Sequence, residues 1–419
     1  MMIITSIYGV IDGYFISNYV GETEFASINF IYPFIMILGG TGFMIGTGGT
    51  ALVSKTLGEG NEKRANELFS MMILFAIILG VILTVAGISL INPICRLLKA
   101  TEAMTEYCVL YGTIVISFTT FFMMQGIFHS FLSAAEKPRM GLVVTIIAGV
   151  TNALLDALFI VGFKWKLAGA AIATGLGQVV GGLVPFIYFC RPNDSKLRFK
   201  ITKLEFSPII KACTNGSSEL LSNISSSIVS MLYNAQLMKF YGEKGVSAYG
   251  VLMYVQFVFL AIEIGYSIGT APIIAYNYGA QNIGELKNVL KKSVITMSVC
   301  GIFLTGLAEG LSVPLSYIFV RNNKELYDLT VYAFRLFSFA FLFSGINIFS
   351  SSFFTALNNG LVSAILSFMR ALVFQATFVF LLPVLWGREG IWFASLATEL
   401  FAFIASVLFL IFMRKKYKY

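Results

Sequence analysis

The sequence predicts an all-helical, polytopic membrane protein of about twelve transmembrane helices in two pseudo-symmetric lobes of six. Three observations carry that expectation. Of 419 residues, 57% are hydrophobic and only 12% charged, against roughly 25% charged in a soluble domain, so much of the surface must face lipid. Apolar runs of spanning length recur along the whole chain with short polar breaks. The second half of the chain also repeats features of the first at a fixed spacing.

The runs fall at residues 1–20, 25–56, 67–92, 106–135, 140–163, 168–190, 209–240, 246–278, 287–312, 326–357, 361–385 and 388–413. A helix needs about 20 apolar residues to cross the hydrocarbon. Inside it every backbone N–H and C=O must be paired within the segment, so each run reads as a helix, and the longer ones tilt or protrude. The breaks hold the charge. "NEKR", "AEKPR", "RPNDSKLRFKITK" and the tail "RKKYKY" are rich in lysine and arginine, the mark of cytoplasmic loops. The net charge of +8 is therefore a topological signal, not a nucleic-acid footprint. With the N-terminus inside, roughly two-thirds of the loop and tail Lys/Arg are cytoplasmic, so both termini are expected on that side of a cell membrane. Trp165, Trp386 and Trp392 then fall near the opposite face, at headgroup depth. The acidic "GETE" turn at Gly21–Glu24 faces outward as well.

Five scattered cysteines without CxxC spacing indicate neither a disulfide framework nor a zinc site. The first apolar run passes any plausible cleavage point without an A-x-A-like ending, so no cleavable signal peptide is expected.

The longest break, Arg191–Ser207, lies near the middle. "LGEGNEKRANEL" near Gly58 answers to "YGAQNIGELKNV" near Gly279, "SFLSA" at Ser130–Ala134 to "SFFTA" at Ser352–Ala356, and "WKLAGAAIAT" at Trp165–Thr174 to "WGREGIWFAS" at Trp386–Ser395. All three pairs are separated by about 221 or 222 residues. Such agreement implies a parallel repeat: an N-lobe at 1–190, a cytoplasmic linker at 191–208 and a C-lobe at 209–419. Transporters built from repeats place substrate between the halves and rock them alternately.

An unpaired acid in hydrocarbon costs several kcal/mol by most estimates, so Asp12, inside the first run, needs a reason. The fifth run carries Asn152 and Asp156, four residues apart and so on one helix face. With "YGVIDGYFISNYVG", "GTGGTALVSKTLGEGN", "NALLDALFIVGF", "GAAIATGLGQ" and "PIIAYNYGAQN" in this order, the chain resembles the multidrug and toxic compound extrusion (MATE) family of cation-coupled exporters over essentially its whole length. The resemblance implies that Asp12, Asn152, Asp156 and Thr174 gather from helices 1, 5 and 6 to hold Na⁺ or take a proton. Oxygen ligands suit a hard cation, and two adjacent buried carboxylates suit proton uptake. Tyr8, one turn before Asp12, is placed to hydrogen-bond it, and Gln125 on helix 4 is a further supporting candidate. Asn234 and Phe378 stand 222 residues beyond Asp12 and Asp156, so the acids belong to the first lobe alone. One departure concerns helix 1. The family's first helix begins earlier, with a proline ahead of the aspartate, whereas Met1 here already lies inside it; a misassigned start and a truncated helix are the two readings.

Glu219, Asn234, Glu263 and Arg370 form a possible polar site in the C-lobe, with Arg370 expected to pair with Glu219 or Glu263. It reads as either a structural network or a second site for coupling ion or substrate. His129, one turn from Gln125, reads more readily as a packing residue than as a ligand. The resemblance implies an antiporter, acting as a monomer in membrane lipid, that exports lipophilic, cationic small molecules against inward Na⁺ or H⁺ and needs no other cofactor. The alternative is a lipid-linked sugar flippase or polysaccharide exporter. Lys55, Arg335 and Arg370 lie in the predicted spans and the other basic residues there, such as Lys211, Lys239, Lys287 and Arg388, stand near span ends, which argues against a phosphate-binding cleft. No metal-ligand spacing, GxSxG or nucleophile–base pattern suggests an enzyme.

Overall fold

The computed structural model describes residues 1–20, 22–97, 100–200, 202–320 and 323–419, and among them there is no strand. Twelve helical rods follow in order. They are α1 (Met2–Tyr19), α2 (Glu22–Gly58), α3 (Glu62–Leu97), α4 (Glu102–Ser117 continued by Thr119–Ala134), α5 (Pro138–Asp156, extended by Ala157–Gly162) and α6 (Lys166–Cys190). Then come α7 (206–241), α8 (Lys244–Gly279), α9 (Ile283–Val320), α10 (Lys324–Ser338 continued by Phe341–Ala356), α11 (Gly360–Phe368, Met369–Phe374 and Gln375–Trp386) and α12 (Gly390–Tyr417). Glycines punctuate the second half: Gly242 (φ 63°) separates α7 from α8, and Gly387 (φ 67°) separates α11 from α12. The chain is a multi-pass membrane protein, as its composition predicts.

The chain divides into two compact units, Met1–Leu220 and Leu221–Tyr419. The boundary falls inside α7, so the first four turns of that helix belong with α1–α6. Their packing shows why. A Cβ on Gly48 of α2 would lie 1.9 Å from the Ala212 carbonyl oxygen, and one on Gly216 of α7 1.9 Å from that of Met44. Two backbones touch there, and only hydrogen fits between them. Small residues serve close helix approach throughout lipid-embedded bundles; Gly42 sits equally tightly against the Met123 backbone, where a Cβ would come within 2.4 Å of Cα. The rest of the first unit's core is aromatic and aliphatic, with Phe69 edge-on to Phe131 at 5.0 Å and to Phe189 at 4.9 Å.

The repeat seen in the sequence recurs in the backbone. α4 bends by 55° after Ser117 and α10 by 47° after Ser338. Each bend interrupts the helical ladder and leaves a carbonyl without its partner. Thr84 of α3 donates to the Ile116 carbonyl, and Thr305 of α9 donates to that of Ser338, both at 3.3 Å. Gly80 and Gly301 let α3 and α9 press against the turn after each bend. Pro93 and Pro314 occupy matching places within α3 and α9. Left-handed residues also match: Gly60 with Gln281, Glu136 with Asn358, and Lys166 with Gly387. Every one of these pairs is 221 or 222 residues apart, the spacing of the sequence repeat.

The described residues between α6 and α7 form a strap on the first unit. Asn66 donates to the Lys196 carbonyl at 3.3 Å and accepts from the Arg198 amide at 2.5 Å, while Ser70 accepts from the Lys200 amide at 2.8 Å. Leu197 is fully buried in the core beneath. Ion pairs pin the strap outside: Lys137–Asp194 at 2.6 Å, Lys196–Glu136 at 2.7 Å, and a two-pronged Arg64–Glu205 contact at 2.7 and 2.6 Å. The Lys137 hydrogen bond, then that from Tyr188, holds the Asp194 carboxyl below its ordinary range, and Arg64 does the same for Glu205. Their contribution is therefore full at neutral pH and is lost as pH falls through those lowered values. Replacing Asn66 with Leu removes both bonds to the strap, at a cost of about 1 kcal/mol for each. Tryptic cleavage after Lys196 and Arg198 should then accelerate at least ~10-fold; unchanged cleavage would show that the strap is held by something else.

Trp165 and Trp386 are about half exposed, at 49% and 60%. Trp392 is not: it is buried beside Tyr241, with ring centroids 5.6 Å apart, in the second unit's core. Its position in the chain marked a helix end, and packing turned the ring inward. Of the acidic turn, Gly21 lies outside the described residues.

Candidate cation site in the first unit

The four residues singled out in the first lobe come together. Asp12 of α1 lies within interaction range of both Asp156 and Asn152 of α5. Asp156 is fully buried and Asn152 nearly so. Asp156 ends the regular part of α5, and the next six residues, Ala157–Gly162, form a π-turn, a local widening common at functional sites. Thr174 of α6 faces the hydroxyl of Tyr111, which itself feels the charges of Asp12 and Asp156.

Glycine makes the gathering possible. A Cβ on Gly149 of α5 would meet the Tyr8 ring at 2.7 Å, one on Gly177 of α6 would stand 3.1 Å from Asn152 Cβ, and one on Gly181 would meet the Gln125 amide at 2.7 Å. These hydrogens allow α1, α4, α5 and α6 to bring their polar side chains to one place. Tyr8 reaches Gln125 and Thr5 with its hydroxyl and lies within electrostatic range of Asp12. The bond expected from Tyr8 is thus directed at Gln125, with Asp12 as a near neighbour.

What distinguishes the cluster is unmet hydrogen bonding. Asp12 Oδ1, Asn152 Nδ2, both carboxylate oxygens of Asp156, Thr174 Oγ1 and Gln178 Oε1 are buried and make no aligned hydrogen bond. Most buried polar groups are paired, so unmatched atoms on and beside two carboxylates set this cluster apart from the rest of the interior. The residues present fit a monovalent cation or a proton. Gln178 was not among the sequence candidates, although it lies one turn after Thr174 and closes the quoted "GAAIATGLGQ". Tyr111 and Tyr32, which also sense Asp12, carried no signal distinguishing them from other tyrosines in apolar helices. His129 is buried with Nδ1 unpaired, its ring 6.3 Å from that of Phe43.

At the positions that the repeat pairs with Asp12 and Asp156 the second unit carries Asn234 and Phe378, and its buried acids, Glu263 and Glu399, stand elsewhere. Its polar network centres on Arg370 of α11, whose guanidinium meets Glu399 of α12 at 2.9 and 3.0 Å. Asn347 donates to Glu399 Oε2 at 2.7 Å and to its carbonyl at 2.9 Å, and accepts from Ser406 at 3.2 Å. The expected partners of Arg370 were Glu219 or Glu263; the ion pair is with Glu399 instead, because α12 runs beside the middle of α11. Glu263 is wholly buried nearby, accepting from Ser344 at 2.8 Å through Oε1. Asn234 is half-buried on α7 and contributes no bond to this network, and Glu219 lies in the first unit.

Comparison with known proteins gives this arrangement its context. The MatE family profile matches residues 1–158 and 220–381. The chain is 25% identical over 421 residues to the multidrug export protein MepA of Staphylococcus saprophyticus, spanning 99% of this chain and 91% of that one. It is 26% identical over 411 residues to MepA of Staphylococcus haemolyticus, spanning 96% and 89%. Among solved structures, an outward-facing multidrug resistance MATE transporter superposes with a TM-score of 0.94 at 19% identity, covering 100% of this chain and 94% of that one. A MOP superfamily transporter from Pyrococcus furiosus gives 0.91 at 18% identity with the same coverage. With a twelve-rod fold, a two-fold internal repeat and a profile match over both halves, the chain belongs to the MatE family, the multidrug and toxic compound extrusion transporters.

Proposed function

We propose that this protein is a secondary active antiporter. It exports lipophilic, mostly cationic small molecules in exchange for a cation, Na⁺ or H⁺, taken up among Asp12, Asn152, Asp156 and Thr174. One observation supports this above the others: two carboxylates and several unpaired polar atoms share one buried place in the first unit, and the repeat offers no acidic counterpart in the second. A purely architectural need would apply to both halves alike. Relatives named multidrug export proteins align over almost the whole chain, which favours drug-like substrates. Aromatic side chains suit such cargo, because ring faces attract organic cations. The charge bias of the loops favours cytoplasmic termini. Binding of the coupling ion would offset negative charge on the two acids and so lower the cost of exchanging one conformation of the transporter for the other.

A flippase of lipid-linked sugars is the less favoured reading. Two of the basic residues in its spans are already paired, Arg370 with Glu399 and Lys55 with Glu59, which disfavours their holding a diphosphate.

The test is efflux of a fluorescent organic cation from proteoliposomes under separately imposed sodium and proton gradients. Antiport predicts uphill movement of the dye when either inward gradient is applied, and none without one. Dye movement indifferent to both gradients would refute ion coupling.

A further inference from the structure

The strap after α6 has a counterpart after the last turns of α12. Ser195 and Leu197 stand 222 residues before Tyr417 and Tyr419. In both pairs the two outer residues are buried and the lysine between them, Lys196 or Lys418, is exposed. In the first unit Leu197 joins the core cluster that holds Phe131, and the Ser195 hydroxyl donates to the Ala135 carbonyl at 3.3 Å. In the second unit Tyr419 lies edge-on to Phe353, the repeat partner of Phe131, at 5.0 Å. Its hydroxyl donates to the Leu410 carbonyl at 3.0 Å, and its own carbonyl accepts from Arg414 Nε at 3.1 Å. Tyr417 lies edge-on to Tyr278 at 5.7 Å. These rings join the closing turn of α12 to the last turns of α8 and α10, in a core cluster that also holds Leu286 of α9 and Val362 of α11.

The means of attachment differ between the units. Asn288, the repeat partner of Asn66, donates to the Glu285 carboxylate and makes no bond to the closing turn. The second attachment relies instead on aromatic packing and on one backbone reversal. Lys418 takes a left-handed conformation (φ 60°), and its N–H donates to the Arg414 carbonyl at 2.8 Å. This is a left-handed helix cap, and it turns Tyr419 back onto the bundle.

We propose that Tyr417 and Tyr419 form a clamp that fastens the ends of α8, α10 and α12 to one another, so that these helices move as one body during transport. The clamp stands on the contacts within the second unit; its part in transport rests on the export reading above.

The experiment follows hydrogen–deuterium exchange in the purified full-length protein, read by mass spectrometry on peptides around Tyr278 and Phe353. Efflux of the fluorescent organic cation is measured on the same variants in proteoliposomes. Lys418→Pro forbids the left-handed turn and disfavours a helical Tyr417, yet keeps both rings. It should speed exchange at both helix ends at least ~10-fold and leave first-unit peptides around Leu57 unchanged. Conformational steps set many turnover rates, so efflux should slow at least about threefold. Tyr419→Ser, which keeps the backbone and removes the ring, should act in the same direction. Lys418→Gly accepts the left-handed turn and should match the wild type in both measurements. Unchanged exchange in Lys418→Pro and Tyr419→Ser, or equal acceleration in Lys418→Gly, would overturn the clamp. Faster exchange with efflux at the wild-type rate would overturn its part in transport. A wild type that moves no dye would instead sink the export reading, and exchange alone would then decide the clamp.

Discussion

Asp12→Asn and Asp156→Asn should each reduce gradient-driven efflux to background while leaving the protein as stable as the wild type, or more so. The two acids lie within interaction range in a buried site, with oxygens that no hydrogen bond satisfies. Like charges so placed repel each other, and an amide removes that repulsion at nearly constant volume. Stability and function should therefore move in opposite directions, the pattern expected where a site serves a task instead of the fold. Thermal unfolding in detergent and efflux from proteoliposomes, measured on the same preparations, make the comparison. A structural role would lower both together. Coupled efflux at wild-type rate from either variant would show that the cation is held elsewhere.

Glu399→Gln should do the reverse and damage the fold first. The guanidinium of Arg370 has Glu399 as its bidentate partner, with its side chain 21% exposed and that of Glu399 9% exposed. Removing one member of a buried ion pair strands the other charge, at a cost of about 3–5 kcal/mol. The substituted side chain keeps an amide oxygen, and the backbone carbonyl is untouched, so Asn347 retains both acceptors and the loss isolates the charge. Expression and unfolding temperature should both fall. The double variant Arg370→Met with Glu399→Met removes both charges and should recover most of the lost stability, because a well-packed apolar pair commonly replaces a buried ion pair without penalty. A single variant as stable as the wild type would mean that Arg370 has another counter-charge, and the buried carboxylate of Glu263 is the nearest candidate.

Much of this was legible in the chain. The count of rods, the two-fold repeat and the membrane setting follow from hydrophobicity and from motif spacing. Lipid imposes helices on any long apolar segment, and duplication preserves turn residues at equal intervals. Gly60 and Gln281, or Glu136 and Asn358, could be paired in sequence only through their surrounding motifs, yet each pair shares the same left-handed backbone. Asp12, Asn152 and Asp156 could likewise be named from residue type, since an acid in an apolar helix requires an explanation, and the family resemblance brought Thr174 to them.

By itself, then, the sequence determined which segments are long and apolar enough to cross the membrane, that they form two similar sets of six, and that Asp12 and Asp156 have no acid at the matching positions of the second set. Tertiary structure decided who meets whom. Arg370 pairs with Glu399 and not with Glu219 or Glu263, Trp392 turns into the core, and Tyr111 joins the acids. The segment after α6, read as a linker, is strapped to the first unit through Asn66 and Ser70. The physical reason is the same in each case. Periodicity reports which face of a helix is apolar, but a polar side chain's partner depends on how neighbouring helices are rotated and how closely glycines let them approach, and those are properties of the packed bundle.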